Sequence, residues 1–80
     1  MNFTVYVLKD LTGRLYKGVT NNLKRRLREH KVGKTITTSR MKDVKVVYSE
    51  EYDNFKEARK RELYLKSAAG RRFLKKILRP

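Results

Sequence analysis

Hydrophobic and polar positions alternate over residues 3–8 (FTVYVL), with Phe3, Val5 and Val7 on one face and Thr4, Tyr6 and Leu8 on the other. The β-branched and aromatic content suits a strand. Residues 9–13 (KDLTG) carry the Asp, Thr and Gly of a hairpin loop, and residues 15–19 return as a second strand. Pairing Leu8 with Arg14 across that loop would set Tyr6 directly opposite Tyr16. The period then changes. Leu23 and Leu27 stand four apart behind Asn21 and Asn22, so residues 21–30 are expected to form a helix. Arg26 and His30 each follow one of these leucines by three, which places both on the edge of the apolar stripe, whereas Arg25 and Arg28 fall outside it.

Residues 31–43 (KVGKTITTSRMKD) are polar, basic and rich in Thr and Ser, and read as a loop after a helix stop near Gly33. Strand character resumes over residues 44–52 (VKVVYSEEY). Asp53 or Asn54 can cap a second helix, with Glu57 completing a capping box if Asn54 is the cap. Phe55, Ala58, Leu65 and Ala69 recur at helical spacing and predict its buried stripe. Glu62 falls in the middle of that stripe. An unpartnered carboxylate there would be costly, on the order of 3–5 kcal/mol for a broken buried pair. It therefore calls for a cation, with Arg26 a candidate, or for a metal ion. Residues 70–80 are expected to form a short amphipathic helix, with Phe73, Leu74, Ile77 and Leu78 on its apolar face and Arg71, Arg72, Lys75 and Lys76 outward. The class expected is α+β, a small three-stranded antiparallel sheet flanked by about three helices.

Composition narrows the partner. The 80 residues suffice for a single domain spanning 1–80, and with 39% hydrophobic residues and no cysteine its core is small and without disulfides. No apolar run has the length of a membrane span, so a soluble, cytoplasmic protein with no membrane partner is expected. Lys and Arg number 22 against 8 Asp and Glu, a net charge of +14. A polyanion is the natural ligand, and charge alone does not separate DNA from RNA. Lys17, Lys34, Arg40, Lys42, Arg71 and Arg72 are the candidate nucleic-acid contacts.

The polar residues in unusual places are Tyr6, Tyr16, Arg26, His30 and Glu62. Together they supply what phosphodiester hydrolysis requires. A carboxylate can hold Mg²⁺, a guanidinium can stabilise a crowded phosphoryl charge, and a phenol or imidazole can move a proton. Each is ordinary alone. A strand tyrosine is usually core filler, and its unperturbed pKa near 10 makes it a poor base.

These residues resemble the motifs of the GIY-YIG nuclease superfamily, particularly its small stand-alone members. Thr4-Val5-Tyr6 stands for the first motif and Tyr16-Lys17-Gly18 for the second, keeping the tyrosines and the glycine. Gly18-Val19-Thr20 leads into the helix, Arg26 occupies the arginine position, His30 follows a turn later, and Glu62 lies within RELYLK at the metal-binding glutamate. The ending YLKSAAGRRFLKK is also similar to that of the stand-alone members. Some superfamily members carry a lysine directly after the second motif's glycine, where this chain has Val19.

The resemblance implies a three-stranded antiparallel sheet flanked by helices and a nuclease site with Mg²⁺ or Mn²⁺ on Glu62. By the same likeness Arg26 stabilises the scissile phosphate and one of Tyr6 and Tyr16 assists proton transfer, with either tyrosine eligible. The expected function is a metal-dependent DNA endonuclease of low sequence specificity serving DNA repair or processing. Targeting would fall to DNA structure or to a partner protein. The alternative is a non-catalytic nucleic-acid-binding module that keeps the fold.

Overall fold

The computed structural model describes residues 2–31 and 44–78. Strands β1 (Phe3–Lys9), β2 (Leu15–Thr20) and β3 (Lys45–Tyr52) alternate with helices α1 (Leu23–Lys31), α2 (Phe55–Lys66) and α3 (Ala68–Ile77) in the chain order β1-β2-α1-β3-α2-α3. The strands form one antiparallel sheet in the order β2-β1-β3, which makes β2 an edge strand. The expected class, a three-stranded antiparallel sheet with three helices, is the one observed.

Both faces of the sheet are covered. Val5 and Val7 are fully buried against Ala58 and Leu65 of α2 and Leu74 of α3. Tyr6 and Leu8 point the other way, with Val44, and are packed by Leu23 and Leu27 of α1 and by Tyr16. The two-residue period of β1 thus sorts alternate side chains into separate cores. The sheet becomes the middle of three layers.

The hairpin register differs from the expected one. Leu8 pairs with Tyr16, and Tyr6 pairs with Gly18. The cause lies in the turn. The Asp10 carboxylate accepts hydrogen bonds from the Thr12 and Arg14 backbone amides, at 3.0 and 2.8 Å, and from the Thr12 hydroxyl at 2.8 Å. Gly13 adopts φ +92°, a conformation favoured by glycine. Asp10 therefore belongs to the turn, and Lys9–Leu15 is the last pair. Because the shift is even, every side chain keeps its predicted face.

Helix α2 is capped by Asn54, whose Oδ1 accepts from the Glu57 amide at 2.9 Å. It ends at Lys66. Ser67 both closes α2, through its amide to the Tyr64 carbonyl, and opens α3, its Oγ accepting from Gly70. The predicted stripe of α2 holds in its centre and fails at its ends. Ala58, Glu62 and Leu65 are buried, but Phe55 is 53% exposed and Ala69 is exposed on α3. Phe55 is the first residue of α2, beyond the turn that lies against the sheet, and the break at Ser67 removes Ala69 from the α2 face.

A cluster at the β3 edge fixes α2 to the sheet. Glu50 accepts a bidentate pair from Arg61, with Nε and Nη2 at 3.0 and 3.1 Å, and also accepts from the Tyr48 and Tyr52 hydroxyls. Burial acts to raise the Glu50 pKa, but these donors outweigh it and hold it below the usual range. Arg61 also stacks over Tyr64 and Phe73, 4.7 and 5.1 Å from their ring centres.

Candidate active site

Gly18 shapes the site. A Cβ at this position would come 2.6 Å from the Tyr6 hydroxyl oxygen and 2.7 Å from its Cζ, so the Tyr6 ring lies across the bare backbone of β2. No larger residue fits without moving that ring. Tyr16, two residues earlier on the same face, is a diagonal neighbour of Tyr6, with ring centres 6.2 Å apart. The two phenols are adjacent as expected, though through the diagonal and not through direct pairing.

Helix α1 is tied to the end of β2. Thr20 Oγ1 accepts from the Asn22 amide at 3.1 Å, and Asn22 Oδ1 accepts from the Arg25 amide at 3.0 Å as the helix cap. That anchoring aims α1 so that His30, 2% exposed, meets Tyr6. The Tyr6 hydroxyl and His30 Nε2 are 3.0 Å apart, and the His30 ring stands edge-on to Tyr16 with centres 4.9 Å apart. Arg26, one turn before His30, pairs through Nη1 with Glu29 Oε1 at 3.1 Å and lies about one-third exposed. Tyr6, Tyr16, Arg26 and His30 are therefore brought together on the α1 face.

Their charges follow from this packing. Burial pushes Tyr6 up to about 12, against the lowering influence of Arg26. Arg26 is raised above its ordinary value by its hydrogen bond to Tyr6, with Glu29 adding to the effect against burial. His30 is lowered by burial and then by the neighbouring Arg26 charge. At neutral pH the site holds a neutral phenol, a neutral imidazole and a fixed guanidinium. The neutral Tyr6 hydroxyl and the neutral imidazole share one hydrogen bond through His30 Nε2.

Glu62 lies in the α2 layer on the other face, buried at 6% exposure beside Ala58 and Leu65. Its partners are not Arg26 but Arg59, at 2.5 Å to Oε1, and Lys66, at 3.0 Å to Oε2. These cations stand at i−3 and i+4 on the same helix, a spacing readable in ARKRELYLK. Lys17 pairs with Val7 in the ladder and so also faces the α2 layer. Burial lowers its pKa, and the nearby Arg71 and Lys66 charges lower it further. Arg71 and Arg72 are exposed on α3. Lys34, Arg40 and Lys42 lie outside the described residues.

The two layers meet at the β2 edge. A cleft of about 370 Å³ there is lined by Val19 and Thr20 of β2, Arg25 and Arg26 of α1, Phe3, Asn21 and Phe55 of α2. One ligand at this edge can touch residues from both faces of the sheet.

Comparison with known proteins identifies relatives of this fold. The chain is 43% identical over 67 residues to UPF0213 protein CPE1444 of Clostridium perfringens, covering 82% of this chain and 71% of that protein. It is 40% identical over 63 residues to UPF0213 protein SAG0778 of Streptococcus agalactiae, covering 78% and 72%. The solution NMR structure of UPF0213 protein BH0048 from Bacillus halodurans superposes with a TM-score of 0.59 at 28% identity, covering 96% of this chain and 85% of that one. The family model described as the GIY-YIG catalytic domain matches residues 2–76. With that match spanning nearly the whole sequence, the chain belongs to the GIY-YIG catalytic domain family, among relatives of the UPF0213 group.

Proposed function

We propose that this protein is a divalent-metal-dependent endonuclease that hydrolyses phosphodiester bonds in DNA, with little intrinsic sequence specificity, and serves DNA repair or processing in the cytoplasm. The observation that carries this reading is the Tyr6–His30 hydrogen bond beside Arg26, within a chain whose family is nucleolytic. Buried tyrosine and histidine together could be mere core. A guanidinium close enough to act on the same phenol, at the rim of a cleft, is what phosphoryl transfer uses.

The chemistry assigns each side chain a task. Tyr6 is protonated at rest, so it can accept a proton from water only by giving its own to His30 Nε2. His30 is kept neutral and can receive it. Tyr16 packs against both rings and holds the imidazole edge-on. Arg26 is one-third exposed and can exchange Glu29 for a phosphate oxygen while its stem stays in place. Lys17 adds charge from the opposite face of the same edge strand.

Glu62 is the residue that would hold a metal. Among the described residues no group of three or more His, Cys, Asp or Glu side chains could enclose an ion. A lone carboxylate suits Mg²⁺ or Mn²⁺ that arrives with substrate, because such ions keep several waters and bind through one or two carboxylates plus phosphate oxygens. Arg59 and Lys66 are each about half exposed, so both can swing into solvent as an ion takes their place at the buried Glu62 carboxylate. When bound, the ion supplies Lewis-acid stabilisation of the phosphoryl charge.

The test is cleavage of supercoiled, branched and single-stranded DNA in Mg²⁺, Mn²⁺ or EDTA, with wild type beside Glu62→Gln and Arg26→Ala. Metal-dependent cleavage is expected to fall by about 10²-fold or more in each variant, with helix content by circular dichroism unchanged. Wild-type cleavage by Glu62→Gln would remove the assigned metal role. Absence of cleavage by wild type in every metal, with binding intact, would favour the non-catalytic module.

A further inference from the structure

Phe55 begins α2 with 53% of its surface exposed, an unusual position for a large aromatic that the helical pattern predicts to be buried. It does not stand alone. Its ring meets Phe3 of β1 edge-to-face, with centres 5.7 Å apart at 68°. An edge-to-face pair leaves ring surface uncovered. These rings line the cleft at the β2 edge together with Arg25 and Arg26. Arg25 is exposed, with Nη2 3.4 Å from Asn21 Oδ1, and Arg26 is the guanidinium assigned to the scissile phosphate. Aromatic faces and arginines therefore line a single opening of about 370 Å³. That volume is at the small end of ligand clefts.

We infer that this cleft is a stacking subsite for one unpaired nucleotide, its base lying against Phe55 and Phe3 and its phosphate reaching Arg25 beside the phosphate held by Arg26. The proposal rests on the nuclease reading for its phosphate at Arg26, and it names the substrate that reading leaves open. A base inside a duplex has both faces occupied by its neighbours and cannot stack on a side chain, so the subsite selects strands that are single, frayed or flapped. The Thr20 hydroxyl in the lining does little to read sequence. Thr20 Oγ1 is committed to Asn22, accepting from its amide and donating to its carbonyl, and every base offers a π-face. Selection is by strandedness and not by base identity.

Binding measured in EDTA separates this proposal from catalysis. Fluorescence anisotropy would compare a labelled single strand with a blunt duplex of the same sequence, using wild type, Phe55→Ala and Phe55→Trp. Phe55 is half exposed, so Phe55→Ala is expected to remain folded, which a urea titration checks. Wild type is expected to prefer the single strand. Phe55→Ala should weaken single-strand binding by about tenfold, within the range for loss of one base–aromatic stack, and leave duplex binding within twofold. Phe55→Trp should restore the preference. Equal losses on both ligands, an unchanged single-strand affinity, or no strand preference in wild type would each overturn the subsite. A preference that persists in a wild-type protein unable to cleave would instead overturn the nuclease reading and leave the subsite standing.

Discussion

Gly18 shows how one residue couples the fold to the site. Because a side chain here would collide with the Tyr6 ring, Gly18→Ala must push Tyr6 off the β2 backbone and away from His30. Overpacking of this kind costs about 1–3 kcal/mol, and the activity loss should exceed what that instability explains. Chemical denaturation and metal-dependent cleavage, measured on the same preparation below its melting transition, separate the two effects. His30 supplies a second handle, since it is the only histidine in the chain. Its folded pKa is lowered, so the unfolded chain binds the extra proton first, and stability is fully present above the unfolded pKa of about 6.5 and declines as pH falls through that value toward the folded one. Wild type should lose stability as pH falls below about 6.5, and His30→Gln should flatten that slope; equal slopes would show that His30 is not the titrating group. The inward direction of Arg26 and His30 was legible because the leucine spacing fixes the helix face. Phe55 was misread because periodicity cannot tell the first residue of a helix from one that has reached the core.

Among the elements, the α2–α3 junction was the least legible. Ala68 and Ala69 are strong helix formers, so propensity runs through the break, and the only signals are the capping hydroxyl of Ser67 and the following glycine. Gly70 is buried where the second helix crosses the end of the first. A Cβ at Gly70 would come 2.0 Å from the Tyr64 carbonyl oxygen and 2.5 Å from the Leu65 Cα. Backbone cannot rotate away as a side chain can, so Gly70→Ala should destabilise the fold despite alanine's better helix propensity. A loss of about 1–3 kcal/mol in urea is expected, and a gain would mean that α3 shifts freely on α2. The hairpin taught a related lesson. Its strands and faces followed from the two-residue period, but its register depended on which residues the Asp10 carboxylate gathers into the turn, which alternation does not encode.

At the scale of the whole molecule, the net charge of +14 was evident from composition, but its distribution became visible only in three dimensions. Lys17, Lys66 and Arg71 gather on the α2–α3 side, close enough for the latter two to depress Lys17, while Arg25 and Arg26 flank the same β2 edge from the α1 side. Glu62 is already neutralised by Arg59 and Lys66, and among the described residues no ion pair joins Lys17 or Arg71 to a carboxylate. A phosphate backbone following the edge strand would meet cations from both layers. With about four such contacts, affinity for a single strand should fall roughly 50-fold between 50 and 200 mM salt, from a slope of about −0.7 per phosphate. Arg71→Gln should reduce the magnitude of that slope by about 0.7, whereas Phe55→Ala should lower affinity and leave the slope alone, because stacking releases no counter-ions. Anisotropy titrations at four salt concentrations distinguish these outcomes. If Arg71→Gln leaves the slope unchanged, the strand does not pass the α3 end of the edge, and the cations grouped there only repel one another.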